Sequence, residues 1–317
     1  MHDLLSETPD NPMPDNAFAG MLTMRDGIRL RYARFSAVAR PLRGTVVIVQ
    51  GRNESIEKYF ETIRDLSARG FGTVTFDLRG QGRSGRMLRD PQRGHVDDFR
   101  HYVDDLEPLF QEVVLPDCRG PYYLLGHSTG ALVSLLAAPI LANRVQRMVL
   151  TAPLIGLAGL PFSMMTTRRI ASLMYALGLG SRYLGGGPRK ARATPFEANV
   201  LTSDPARYRR NIAIVEHYPE LGLGGPTASW IRAACIAAER AAEPDFVAGL
   251  HIPMLILAAG NDRVVDTPTT ERFARRLRSG SMVTIDGARH ELLQEADIYR
   301  EPLLAAIDAF FVPGLVS

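Results

Sequence analysis

The tightest constraint on this chain lies in residues 122–138, where three local patterns follow one another without a gap. Tyr122-Tyr123-Leu124-Leu125 is an apolar run of strand length, and Ala131-Leu132-Val133-Ser134-Leu135-Leu136-Ala137-Ala138 is an apolar run that reads as a buried helix. Only Gly126-His127-Ser128-Thr129-Gly130 separates them. A strand that turns into a helix so abruptly strains the backbone at the apex. The positions two residues to either side must then be small. A serine at such an apex stands clear of the sheet, and the helix behind it aims its first N–H groups at any anion formed there. Gly126-x-Ser128-x-Gly130 in this setting is the pattern of a nucleophile elbow. Taken without its flanks, the same spacing would describe only a glycine-rich turn with an idle serine.

The segments around the elbow alternate between strand and helix. Met21–Met24 and Ile28–Phe35 flank Arg25-Asp26-Gly27, a hairpin signal. Thr45–Val49 is a β-branched run suited to a strand buried on both faces. A helical pattern runs from about residue 56 to 69, and Gly70 ends it. Thr73–Phe76 is the next strand, followed by a helix over 97–114, the elbow, and a strand at Met148–Leu150. Alternation stops at Pro153. From 154 to about 245 the chain has helical patterns broken at Gly185-Gly186-Gly187-Pro188 and Gly222–Pro226. It resumes with a strand at 253–258, a helix near 268–278, a strand at 282–285 and a last helix to about Phe311. Such a series implies an α/β fold, a mostly parallel sheet with helices on both faces. The expected division is a loose, proline-containing arm at 1–18, a core formed by 19–153 and 246–317, and a helical cap inserted at 154–245.

Composition narrows the function classes. With 317 residues, 46% hydrophobic and 22% charged, the chain suits one globular domain carrying an insertion. A net charge of +3 without basic runs interleaved with aromatics argues against nucleic acid as a partner. Cys118 and Cys235 stand alone, without metal-ligand spacing, so neither a disulfide framework nor a metal site is expected. The first residues lack a basic segment followed by an apolar one, and no run approaches the ~20 apolar residues of a membrane span. These features suggest a cytoplasmic enzyme that touches membrane at most peripherally. The glycine-rich loop Asp77-Leu78-Arg79-Gly80-Gln81-Gly82-Arg83-Ser84-Gly85 lacks the Gly-Lys-Ser/Thr ending of a phosphate-binding loop and is read as a tight structural loop beside the site.

A serine hydroxyl becomes a nucleophile when a histidine takes its proton and a carboxylate holds that histidine. In one known chain order the acid follows a late strand and the histidine follows the next. Asp262, in Gly260-Asn261-Asp262, comes just after the strand ending near Ala259. His290 comes just after the strand ending at Ile285, and no other histidine follows residue 251. Asp266 is the alternative acid, but its position ahead of Thr267-Pro268 suits a helix cap. The remaining histidines, His95, His101 and His217 among them, are read as structural or exposed.

With these residues the chain resembles the α/β-hydrolases of the monoacylglycerol lipase and lysophospholipase branch, grouped with serine aminopeptidase-like hydrolases. The likeness spans about residues 21–312 and is weakest over 154–245. It rests on Gly51-Arg52-Asn53-Glu54 with Lys58-Tyr59, the 77–85 loop, Gly126–Gly130, Gly260-Asn261-Asp262 and Gly287–Glu291. The resemblance implies that the oxyanion-hole N–H groups belong to Arg52 and Thr129. One departure stands out: the family usually has His-Gly where this chain has Gln50-Gly51, which leaves the loop's support open.

The expected activity is cleavage of a monoacyl ester such as a monoacylglycerol or lysophospholipid through an acyl-enzyme on Ser128, with no metal or organic cofactor. A peptidase, an amidase or a short-chain carboxylesterase could use the same triad, and a non-catalytic ligand-binding protein is a further alternative. The cap opens with Leu154-Ile155-Gly156-Leu157-Ala158-Gly159-Leu160-Pro161-Phe162-Ser163-Met164-Met165, apolar on every side. Leu154, Leu157, Met164 and Met165 are therefore expected to wall an acyl channel, the alternative being that they pack on the core. Arg182, Arg189, Lys190, Arg192, Arg207, Arg209 and Arg210 outweigh Glu197 and Asp204 between 182 and 210. That excess suggests either a solvated face or contact with anionic membrane.

Overall fold

The computed structural model describes residues 4–159, 161–189 and 193–312. Strands β1 (Ala17–Thr23) and β2 (Arg29–Phe35) form a hairpin, then β3 (Gly44–Val49), α1 (Phe60–Ala68) and β4 (Phe71–Phe76) follow. Helix α2 (Arg100–Leu109) continues through a π turn at Phe110–Val114 into α3 (Leu115–Asp117). Next come β5 (Tyr122–His127), α4 (Thr129–Leu141) and β6 (Val145–Thr151). Helices α5 (Met164–Ala176), α6 (Pro205–His217), α7 (Ala228–Ala241) and α8 (Pro244–Ala248) precede β7 (Met254–Ala259), α9 (Thr267–Ala274), β8 (Gly280–Ile285) and α10 (Asp297–Phe311).

The strands make one eight-stranded sheet in the order β1-β2-β4-β3-β5-β6-β7-β8. Pairings β1–β2 and β2–β4 are antiparallel and the rest are parallel. This is the α/β architecture that the alternation implied. Every residue of β3 and of β7 is buried, because helices cover both faces there and leave no solvent side on which polar residues could alternate. The chain leaves β3 for β4 on one side and returns with β5 on the other. The crevice outside the carboxyl ends of β3 and β5 is thus a topological switch point.

Two expectations need correction. The described part of the 1–18 arm is not loose. The Arg31 guanidinium is fully buried between Glu57 and Asp77, and its Nη1 also donates to the Leu4 carbonyl at 2.7 Å. Ser6 N donates to Glu57 Oε1 and Asn11 Nδ2 to the Glu57 carbonyl, while β1 already begins at Ala17. A buried cation needs acceptors on every side, and the arm supplies one of them. The second correction concerns residues 154–245, which are not wholly separate from the core. The face of α7 bearing Trp230, Ala233, Ala234, Ala237 and Ala238 belongs to the same apolar cluster as the sheet. Its small side chains let α7 pack against α4.

Candidate active site

Ser128 sits between β5 and α4 with φ 51° and ψ −112°, a conformation that non-glycine residues adopt only under constraint and at a cost of about 1–3 kcal/mol. The constraint is visible on both sides. A Cβ at Gly130 would lie 2.0 Å from the Val49 carbonyl oxygen, and one at Gly126 would lie 2.7 Å from the Ala131 Cα. Both glycines are therefore steric necessities, and they let the loop after β3 lie directly against the elbow. The Ser128 N–H donates to the Thr151 carbonyl, and its own carbonyl accepts from Leu154 N.

The three expected residues are brought together. His290 Nε2 is 3.0 Å from Ser128 Oγ, and His290 Nδ1 is 2.8 Å from Asp262 Oδ2. An ionised carboxylate can only accept, so Nδ1 carries the proton and Nε2 presents its lone pair to the serine hydroxyl. Burial alone would raise the Asp262 pKa. The bond from His290 and the N–H groups of Val264 and Val265 on Oδ1 outweigh it and hold the carboxyl below its ordinary value. Asp266, the alternative acid, caps α9 by accepting from Thr269 N.

Arg52 lies in the bend after β3, and Thr129 is the first residue of α4, so its N–H lies ahead of the helix's internal ladder. Neither amide is engaged in a backbone hydrogen bond among the described residues. The loop carrying Arg52 is held from several directions. Gly51 N donates to Glu54 Oε2 at 2.5 Å, Gln81 Nε2 donates to the Gly51 carbonyl at 2.8 Å, and Asn53 N donates to Gln81 Oε1. Gln81 belongs to the 77–85 loop, which acts here as a brace. Gln50 turns away from the triad to donate to Thr75 Oγ1 on β4, and its buried Oε1 has no partner among the described residues.

Sequence reasoning gave no role to the polar groups under the triad. Lys58 Nζ bridges Glu54 Oε1 (2.7 Å) and Glu291 Oε1 (2.6 Å), all three being buried or nearly so. Burial would raise the Glu54 pKa, but Lys58, His127 and the Tyr59 hydroxyl bring it down to about 2. His127 packs its ring 5.1 Å from that of His290 and is pushed down to about 4, chiefly by burial, with the charges of His290 and Lys58 adding to the effect. The i, i+4 spacing of Glu54 and Lys58 was the only local signal of this network.

The expected channel residues divide. Leu154 is buried beside Ser128, and Leu157 pairs with Val265 on the loop that carries Asp262. Met164 is partly buried against the core. Met165 does not wall a channel: at 53% exposure it is on the surface, because it begins a solvent-facing arc of α5. Part of the basic stretch is engaged within the fold. Arg207 and Arg210 are both paired to Glu61, and Arg207 also to Asp204 and Asp297, while Lys190 and Arg192 lie outside the described residues. Among the described residues no group of three or more His, Cys, Asp or Glu could hold a metal ion, and no helix is long and apolar enough to cross a membrane.

The family profile described as serine aminopeptidase, S33, matches residues 40–297. The chain belongs to this family. Within it the chain is an α/β-hydrolase of the lysophospholipase and monoacylglycerol lipase branch, and it is an ester hydrolase. It is 38% identical over 299 residues to lysophospholipase L2 of Escherichia coli K12, covering 90% of this chain and 85% of that one. It is 31% identical over 289 residues to a probable lysophospholipase L2 of Haemophilus influenzae, covering 91% and 90%. Its fold is similar to that of a soluble variant of monoglyceride lipase from Saccharomyces cerevisiae, with a TM-score of 0.71, 22% identity and coverage of 95% and 98%.

Proposed function

We propose that this family member hydrolyses the ester of a single-chain lipid, a lysophospholipid or monoacylglycerol, through an acyl-enzyme on Ser128. The observation that carries this reading is the unbroken hydrogen-bonded line from Ser128 through His290 to Asp262 at the switch point of the sheet. Ser128 Oγ attacks the ester carbonyl while His290 Nε2 takes its proton, and the N–H groups of Arg52 and Thr129 receive the oxyanion. Each such donor contributes about 3 kcal/mol of transition-state stabilisation. His290 then protonates the leaving glycerol oxygen. In the second half it deprotonates a water that releases the fatty acid. The reaction so drawn uses no metal or organic cofactor.

An aminopeptidase would need a free carboxylate for the substrate's ammonium group. The carboxylates flanking the triad, Glu54 and Glu291, are both engaged by the Lys58 ammonium rather than free, which favours the lipid ester. The relatives named as lysophospholipases support the same choice. Leu154, Leu157 and Met164 are the channel residues that remain consistent with an acyl chain. Each methylene they bury contributes about 0.8 kcal/mol.

Contact with a lipid surface falls to α5 rather than to the basic stretch. Phe162 (56% exposed), Met165, Ile170, Leu173 (62%) and Leu177 (66%) offer large side chains to solvent at helical spacing, with Arg169 among them.

The test is labelling by a fluorophosphonate together with kcat/KM across C4 to C16 monoacyl esters below their micellar concentrations. Labelling should vanish in Ser128→Ala, and kcat/KM should rise severalfold for every two carbons until the channel is full. Labelling that persists in the variant ends the assignment of Ser128, and a profile that peaks at C4 ends the lipid reading.

A further inference from the structure

Arg52 carries a second feature, in its side chain. The guanidinium reaches away from the elbow into a recess formed by Gly94, Gly224 and Trp230. Its Nη2 donates to the Gly224 carbonyl at 2.5 Å, and its Cζ lies 5.4 Å from the centre of the Trp230 ring. A Cβ at Gly94 would come within 2.5 Å of Nη2, so the absence of a side chain there is what admits the guanidinium. Among the described residues its buried Nε finds no hydrogen-bond partner and no carboxylate offsets its charge. The titratable groups that feel it are the hydroxyls of Tyr102 and Tyr183, and the buried Tyr183 hydroxyl likewise has no partner among the described residues. Burial lowers the Arg52 pKa to about 10.

By contrast, Arg31 is paired with Glu57 and Asp77, Lys58 with Glu54 and Glu291, and Arg79 with Asp105. A partly buried guanidinium left uncompensated, in electrostatic reach of an unsatisfied hydroxyl, has the donor set for an oxyanion supplied from outside. Its distance from the reacting centre is set by covalent geometry. As many bonds separate the ester carbonyl carbon of a 1-acyl lysophospholipid from its phosphorus as separate an arginine's backbone nitrogen from its guanidinium carbon. A substrate whose oxyanion meets the Arg52 N–H can therefore lay its glycerol along the arginine's own side chain, with the phosphate at the far end.

We propose that the Arg52 guanidinium, with the Tyr183 hydroxyl, receives the phosphodiester of the head group, so that the site selects single-chain phospholipids over monoacylglycerols. This rests on the ester-hydrolase reading above. A neutral glycerol leaves both groups unsatisfied, whereas a phosphodiester offers two oxygens to the planar fork.

The test compares kcat/KM for 1-acyl lysophosphatidylglycerol with that for the monoacylglycerol of the same chain, below micellar concentrations, in the wild type, Arg52→Gln, Arg52→Lys and Tyr183→Phe. The ratio of the two should fall at least about tenfold in Arg52→Gln, and less in Arg52→Lys and Tyr183→Phe. The ratio is the readout because a strut linking the loop to Gly224 would slow both substrates alike. As a second measurement, glycerophosphoglycerol should inhibit turnover of p-nitrophenyl butyrate competitively, and its inhibition constant should rise about tenfold in Arg52→Gln and rise also in Tyr183→Phe. A ratio that stays within twofold in both Arg52→Gln and Tyr183→Phe overturns the proposal. So does inorganic phosphate inhibiting as strongly as the glycerophosphodiester, which would make this a free-phosphate site. Wild type that turns over p-nitrophenyl butyrate through Ser128 while the ratio holds constant removes only this inference. Wild type that cleaves no ester removes the underlying reading with it.

Discussion

Lys58 and Glu291, 233 positions apart, meet in an ion pair of 2.6 Å, and the same ammonium also holds Glu54 at 2.7 Å. The pair joins the loop that carries Arg52 to the loop that carries His290. The two halves of the proposed site, the Arg52 loop and the His290 loop, are thus anchored to one buried charge. Lys58→Met would leave two buried carboxylates facing each other with no cation. Removing one member of a buried pair costs about 3–5 kcal/mol, and chemical denaturation of the variant should register a loss of that size. Adding Glu291→Gln to Lys58→Met should recover part of it, and a double variant no more stable than the single one contradicts the network.

The Asp262–His290 bond predicts the behaviour of Asp262→Asn. An amide can donate to Nδ1, which drives the imidazole proton to Nε2 and turns it toward Ser128. The fold should survive, while kcat on a p-nitrophenyl ester should fall by about four powers of ten. A decrease of less than tenfold would mean that another carboxylate orients His290.

His127 makes stability depend on pH. Its folded pKa is lowered to about 4 from an ordinary 6.5, so on acidification the unfolded chain takes up the proton first. Its contribution is present above pH 6.5 and is lost as pH falls toward 4, on the order of 1 kcal/mol per pH unit. Glu54, lowered to about 2, extends the loss below its unfolded value near 4.5. Urea unfolding at pH 7.5, 6 and 5 should give a falling stability, and His127→Gln should flatten the fall between 6.5 and 5.

The buried Arg31 cluster predicts that the N-terminal segment is part of the fold. Deleting residues 1–14 strips Leu4, Ser6 and Asn11 from Arg31 and Glu57. The truncated protein should lose on the order of 1–3 kcal/mol through the acceptors and donors left unpaired. A thermal midpoint equal to that of the full chain would return the segment to the status of a loose arm.

The exposed arc of α5 predicts lipid binding that survives loss of the basic stretch. Leu173→Ser with Leu177→Ser should weaken co-sedimentation with anionic vesicles severalfold, whereas Arg209→Gln should change it little, if at all. The reverse order of effects would restore the basic residues as the contact.

Much of this molecule could be read from local pattern. The elbow is legible because its requirements are steric and near in sequence: a strained apex at Ser128 and no Cβ at Gly126 and Gly130. The acid and the base are legible because the order of strands puts Asp262 and His290 at successive strand ends, and β3 and β7 are legible as apolar runs because both their faces are covered. The prolines of the N-terminal segment misled, since they report backbone preference and not what Arg31 needs as an acceptor. Met165 misled in the same way. Its apolar neighbours gave no helical phase from which an inward or outward side could be assigned.

What the sequence by itself determined, then, is the set of features held by contacts a few residues long or by strand order: the fold class, the elbow and the three residues that the fold brings together, Ser128, Asp262 and His290. Only the tertiary structure decided which charges are paired. Glu54, Lys58, Glu291 and Arg52 stand in motifs that mark the family resemblance, but nothing in the chain says which of their charges meet. The folded protein buries the first three together and leaves the guanidinium of the fourth without an anion. The physical reason is that compensation of a buried charge depends on what burial brings within about 4 Å, across separations of hundreds of residues. No periodicity along the chain encodes that distance.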